Sequence, residues 1–333
     1  MFTIVLISVL ICLNTDAQII KIATLAPEGS GWVRALRNID RDVRKQTNKE
    51  VRLKIYPGGV QGDEDVMIRK IRVGQLQGGG FGGTGVSDIF PDVLALEMPF
   101  LFNNYEEIEY VLRETYEFYK NGYEKNGYVL LGWSDVGFVH LFSQNPIAGI
   151  DDIRGRKVWR LKGEPITEVL FRKVGVTSVP LTIPDVLMGL QTDLVEVVYT
   201  SPSAAIVLQW FTRVSHYTML PINYVLGALL VKRTAFEQLS TENKEILINV
   251  SEHHMSAQRL KSRSDNEEAL EIISEHGVSP VELPEPEISA FKQLVAESLP
   301  DLKGQAFSDE SYDRIQTHLH NFRRTVQSKS VSE

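Results

Sequence analysis

The stretch 151–202, DDIRGRKVWRLKGEPITEVLFRKVGVTSVPLTIPDVLMGLQTDLVEVVYTSP, most constrains what this chain can fold into. Short β-branched runs alternate in it with helical spacings, so it reads as strand, helix, strand, helix, strand, the pattern of an α/β fold with a parallel sheet. It sets Trp159 and Arg160 side by side at the carboxyl end of its first strand, and open α/β sheets hold their ligands beyond such ends. Successive strand residues point to opposite faces, so one of the two looks into a cleft and the other away from it. The choice decides the ligand chemistry. A guanidinium matches a carboxylate with two parallel hydrogen bonds, whereas an indole offers a broad apolar face and one donor. A core tryptophan and a solvated strand-end arginine are the structural alternatives.

A chain of 333 residues favours two α/β domains over one. Its formal net charge is -8 and no block of Lys or Arg forms a basic face, which argues against nucleic acid as a partner. The start stands apart: FTIVLISVLICLN is an apolar run too short to span a bilayer comfortably, and it ends at Thr15-Asp16-Ala17. We read residues 1–17 as a secretory signal cleaved near Ala17, although no Lys or Arg precedes the apolar run, which leaves a buried first strand as the alternative. Cleavage would remove Cys12, the only cysteine, and leave a chain suited to an oxidising compartment. Cys12 as a lipid-attachment site is disfavoured by Ile11, which stands where a small residue is expected.

Further on, IIKIATLA (19–26) suits a buried parallel strand, and Ser30 is a candidate N-cap for a helix carrying Trp32, Leu36, Ile39 and Val43 on one face. VRLKIYP (51–57) alternates as a half-exposed strand does, and a second helix follows with Met67, Ile68 and Ile71 inside. In QGGGFGGTGVSD (77–88), Gly78, Gly80 and Gly83 match the dinucleotide-binding spacing. That motif should follow the first strand and open a helix, and here it follows a helix, so no cofactor is implied. The stretch is expected to be a loop whose backbone lines a cleft, with Phe81 as an apolar wall and Thr84 as a hydroxyl. A helix from 105 to 123 closes at Asn126-Gly127, a strand returns at 128–133, and hinge crossings are expected at 135–143 and 223–228. From 241 to about 276 the pattern stays helical. At ~1.5 Å per residue that is roughly 50 Å, enough to run along both lobes.

Signs of catalysis are missing. No G-x-S-x-G elbow, Walker lysine or H-E-x-x-H occurs, so the reading is neither enzyme nor metalloprotein. His253 and His254 are adjacent on a helix and point apart, a poor zinc pair, and Asp63, Glu64 and Asp65 suit a first helical turn better than calcium.

Four blocks taken together, PFLFNNYEEIEYVL, GYVLLGWSDVGFVHLFS, DIRGRKVWR and PLTIPDVLMGLQTDLVEVVYTSP, resemble the solute-binding proteins of tripartite ATP-independent periplasmic (TRAP) transporters. The likeness runs from about Ile20 to about Val326. It implies a two-lobed periplasmic-binding-protein fold, type II-like, with hinge strands and a long lobe-bridging helix. Lobe I would comprise 18–137 plus about 226–265, and lobe II about 138–225 plus 266–333. It also implies an extracytoplasmic, periplasmic receptor that closes on an organic acid and delivers it to a membrane permease of small and large subunits.

In that family the arginine of a G-x-K-x-R block grips the ligand carboxylate. Here Gly155 and Lys157 keep their places, Trp159 stands at the third, and Arg160 comes one residue late, where only a local bulge would return it to the cleft. Val139 replaces a further arginine common in the family, and Thr200-Ser201-Pro202 lacks the usual acid or amide before the proline. The resemblance brings Trp32, Phe81, Trp133, Phe138, Trp159, Tyr199, Trp210 and Tyr224 near the cleft, with lobe core the preferred place for Trp210 and Tyr224. The expected ligand is therefore small, with an apolar or aromatic body, a monocarboxylate being compatible. Trp159 would pack on it, and Ser201 and Thr84 would add neutral hydrogen bonds. The rivals are a carboxylate clamp through Arg160 and, from another class, an enzyme that keeps the same two-lobed fold.

Overall fold

The computed structural model describes residues 17–330. The proposed signal as far as Asp16, with Cys12, lies outside the described residues. The first lobe is built from β1 (Gln18–Thr24), α1 (Gly31–Gln46), β2 (Val51–Tyr56), α2 (Glu64–Arg72), β3 (Gly78–Gly82), α3 (Thr84–Ile89) and α4 (Tyr105–Lys125). A 3-10 turn, Pro91–Glu97, joins the last two. Ser30 caps α1, its Oγ accepting the Val33 N–H at 3.3 Å, and the apolar face of that helix buries Trp32, Leu36, Ile39 and Val43.

β4 (Tyr128–Ser143) then crosses into the second lobe. There, after α5 (Ile150–Ile153), β5 (Lys157–Leu161), α6 (Pro165–Val174), β6 (Thr177–Leu181), α7 (Ile183–Gln191) and β7 (Val197–Thr200) realise the pattern of the 151–202 stretch, and α8 (Pro202–Val207) and β8 (His216–Thr218) follow. The chain returns through β9 (Asn223–Lys232) and α9 (Arg233–Glu237) to α10 (Thr241–Glu275), β10 (Ser279–Val281), α11 (Glu285–Leu302) and α12 (Asp309–Ser330).

The strands lie in the order β2-β1-β3-β9-β4-β7-β5-β6, with β8 pairing β4 and β10. β4 serves both lobes. From Tyr128 to Val139 it pairs antiparallel with β9, and from His140 to Ser143 with β7. The register against β9 slips between Asp135 and Gly137, where the chain takes a φ of 112° that only glycine adopts without strain. β9 is buried on both faces, as an inner strand must be: Leu229 and Val231 join Ile20, Ile22 and Leu36, while Leu226, Ala228 and Leu230 join Met67, Tyr119 and Tyr123.

Two expectations are corrected. The glycine-rich stretch is not a loop: Gly78–Gly82 is an inner strand, parallel to β1 and antiparallel to β9. Its glycines are required by packing. A Cβ at Gly80 would lie 2.6 Å from Trp32 Nε1, and one at Gly227 on β9 would lie 2.3 Å from the same indole. The strand forms despite low β propensity because both neighbours supply its backbone partners. The second correction concerns α12, read by sequence with lobe II. It packs on α4 of the first lobe, where Ile315 and Leu319 cover apolar surface, Tyr119 Oη meets Ser311 Oγ at 3.1 Å and Arg323 pairs with Glu107 at 2.8 Å. α10, at 35 residues roughly 50 Å long, runs past α1, β4 and α8 and so touches both lobes.

Candidate functional site

A cavity of about 470 Å³ lies between the lobes. It is bounded by the carboxyl ends of β1, β3, β5 and β7, by the first turn of α1 and by the middle of α10, where ligands of α/β sheets belong. Trp159 lines it and is only 3% exposed. Its Nε1 donates to the Leu181 carbonyl at 3.1 Å, and its ring sits 4.8 Å from that of Tyr199 and 5.1 Å from that of Trp210. Neighbouring backbone and two aromatic rings thus hold the indole in place.

The register of β5 on β6 runs unbroken from Lys157 to Leu161, with no bulge to turn Arg160 inward. Strand alternation therefore sends Arg160 to the opposite face. Its guanidinium meets Glu168 of α6 at 3.3 Å, its Nε is buried without a partner among the described residues, and it does not line the cavity.

Of the other expected residues, Trp32, Thr84, Tyr199 and Ser201 line the cavity. Phe81, Trp133 and Phe138 do not. Phe81 is fully buried on the α2 and α3 side of β3, because Gly80 and Gly82 take the face toward Trp32. Trp133 packs edge-on against Tyr119 and Tyr123, and Phe138 packs against Tyr105 and Tyr224, so all three serve the first lobe's core. Trp210, expected in the core, is 1% exposed and also contributes to the cavity wall. Two lining groups are buried with no hydrogen-bond partner among the described residues: Ser201 Oγ and Trp32 Nε1.

The sequence noted Glu64 only as part of a first-turn acidic cluster and singled out neither Glu97 nor Glu164, and it placed none of the three in a cavity. Glu64 accepts the N–H of Gly82 at 2.8 Å and of Gly85 at 2.6 Å, tying the start of α2 to the β3–α3 turn. Burial pushes its carboxyl up to about 7, against the pull of those two donors. Glu97 ends the 3-10 turn, accepts the Leu226 N–H at 3.1 Å and is held well above the usual carboxylate range by burial, with Glu164 and Glu64 adding repulsion. Glu164, at the head of α6, receives the Tyr199 hydroxyl at 2.5 Å and that of Thr167 at 3.1 Å on one oxygen; burial raises it too. The usable signals were an acid inside the apolar run LALEMPF and one immediately before a helix-opening proline.

At the crossing between lobes, the Asp135 carboxylate is fully buried and pairs with Arg263 of α10 at 2.9 Å. It also accepts the Tyr224 hydroxyl, while Ser262 Oγ donates to its carbonyl at 3.1 Å. Arg263 and Arg259 both reach Glu109 of α4. Among the described residues no cluster of three or more His, Cys, Asp or Glu is placed to hold a metal ion, and no helix is long and apolar enough to cross a membrane.

Residues 22–305 match the profile of the bacterial extracellular solute-binding proteins, family 7 (DctP). The 2,3-diketo-L-gulonate-binding periplasmic protein of Escherichia coli is 23% identical over 280 residues, covering 80% of this chain and 76% of that one. The sugar acid binding protein DctPAm of Advenella mimigardefordensis, solved with galactonate, superposes with a TM-score of 0.85 at 20% identity, covering 92% of this chain and 98% of that one. DctP7 of Bordetella pertussis, an extracytoplasmic solute receptor binding pyroglutamic acid, gives 0.84 at 16% identity, covering 91% and 100%. The chain therefore belongs to the DctP family of extracellular solute-binding proteins, the TRAP-type receptors that its sequence resembles, and is a receptor rather than an enzyme.

Proposed function

We propose that this protein is a periplasmic receptor that closes on a small organic ligand with an apolar or aromatic body and hands it to the small and large subunits of a TRAP permease. The signal would be removed near Ala17. Closure would bend the chain near 135–143 and 223–228, with lobe boundaries close to 138 and 226, and the ligand would stabilise the closed form by its differential affinity for that state. The observation that carries the ligand reading is the cavity wall: Trp159, Trp32, Trp210 and Tyr199 face it, and Arg34 is the single guanidinium among its lining residues. Indole faces bury a large apolar area, whereas a dianionic ligand would meet too few cations. Relatives bind 2,3-diketo-L-gulonate, galactonate and pyroglutamate, and a single carboxylate beside an apolar body is compatible with Arg34.

Native mass spectrometry of the gently purified mature protein, repeated on Arg160→Ala, tests this reading. A compound with an apolar or aromatic body, retained by the mutant, is the expected result. A carboxylate lost from the mutant would instead assign the clamp to Arg160.

A further inference from the structure

Resting on that receptor reading, the arrangement of charge around the cavity narrows the ligand further. Its lining residues include Glu64, Glu97, Asp135, Glu164, Asp265 and Glu268 against Arg34 alone. Two of these acids are already neutralised, Asp135 by Arg263 and Asp265 by Lys261. Glu64 spends both oxygens on backbone N–H groups. Glu268 is exposed to solvent, and what remains is one oxygen of Glu97, whose partner oxygen holds Leu226, and one oxygen of Glu164, whose partner oxygen holds Tyr199 and Thr167. Neither free oxygen accepts a hydrogen bond from a described residue. Glu97 comes from the first lobe and Glu164 from the second, and both line the cavity.

We infer that the ligand carries a cationic nitrogen group, an ammonium or amidinium, whose N–H donors engage Glu97 and Glu164 while its apolar body lies on Trp159. Two orphaned groups line the same cavity: Ser201 Oγ, 1% exposed, can accept a further N–H or donate its own proton, and Trp32 Nε1 offers a donor to an acceptor elsewhere on the ligand. Buried polar groups without partners are costly, and a ligand that supplies partners to Ser201 and Trp32 removes that cost. Charge decides between ligand classes. Burial disfavours the ionised forms of Glu64, Glu97 and Glu164, and a cation beside Glu97 and Glu164 offsets that penalty, whereas a ligand bearing only a carboxylate deepens it. Contact with one glutamate from each lobe also makes the group a reason to close, because both contacts form only when the walls meet.

The test is a thermal-shift and calorimetric panel on the mature protein. One set comprises arylalkyl and aliphatic monoamines, amidines and amino acids, including 2-phenylethylamine and phenylalanine. The other comprises the matching monocarboxylates, including 3-phenylpropionate, together with hexuronates. Stabilisation by members of the cationic set, with at least a tenfold weaker Kd in both Glu97→Gln and Glu164→Gln, is the expected result. Gln keeps the acceptor for Leu226 or Tyr199, so folding is checked by an unchanged circular dichroism spectrum. Stabilisation by nitrogen-free carboxylates alone, or cation affinity unchanged in both variants, overturns the inference and leaves the receptor reading standing. No response from either set, with no small molecule released from the purified protein, overturns both.

Discussion

Trp159 joins the two themes of the site, since the ring that walls the cavity is also part of the second lobe's core. Trp159→Ala is therefore expected to abolish ligand binding and to lower unfolding free energy by about 3–5 kcal/mol, as large-to-small core changes do. Trp159→Phe separates the roles. It keeps an aromatic face but loses the donor to Leu181, so calorimetry should find binding retained within about tenfold, with a stability loss of about 1 kcal/mol. Glu64 offers a prediction in pH. Its carboxyl sits at about 7 in the folded chain against 4.5 when unperturbed, so the folded state holds that proton more tightly. Below 4.5 both states are protonated and nothing is lost. As pH rises to 7 the unfolded chain ionises first, and stability falls by an amount on the order of 3 kcal/mol. Urea unfolding across that window should show this slope in the wild type and a shallower one in Glu64→Gln; equal slopes would assign the effect to other groups.

Among the elements, β3 and the β4–α10 crossing carry the clearest constraints. Trp32 lies in a slot left by Gly80 and Gly227. Gly80→Ala must displace the indole, at a cost of about 1–3 kcal/mol for overpacking and with weaker binding, because Trp32 also lines the cavity. A wild-type melting temperature and Kd in Gly80→Ala would show that the slot is not needed. At the crossing, Arg263→Met leaves the Asp135 carboxylate buried without its ion partner, a change that costs about 3–5 kcal/mol. Adding Asp135→Asn removes the orphaned charge and keeps an acceptor for Tyr224, so the double variant should be more stable than the single one in denaturant titrations.

For the whole molecule, the proposed closure of two lobes joined by β4, β9 and α10 would make ligand binding and shape one event. Ligand at 100 times its Kd should stabilise the fold by about 2.7 kcal/mol. Small-angle scattering should show a smaller radius of gyration in the same samples. Stabilisation without compaction would mean that the lobes do not move as proposed. The final helix matters here too. Docked on α4 through Tyr119, Ser311 and the Arg323–Glu107 pair, α12 adds to the first lobe a surface that the linear order of the chain assigns elsewhere.

By itself the sequence determined the α/β class and the strand that carries Trp159 and Arg160, because periodicity and capping are local and survive in the linear chain, while the two-lobed plan came from the resemblance to the family. It also determined that these two neighbours must part company, since alternation along a strand needs no partner to be read. Only the tertiary structure decided which of them looks inward, because that rests on the unbroken pairing of β5 with β6 and on the pull of Glu168. It alone turned the glycine stretch into a strand, because β1 and β9 supply its backbone partners, and it alone showed why glycines stand there, since the Trp32 indole fills the space a Cβ would need. It alone gathered Glu64, Glu97 and Glu164 around one cavity. An acid in an apolar run records that it is buried, and only the packing of two lobes records what it faces.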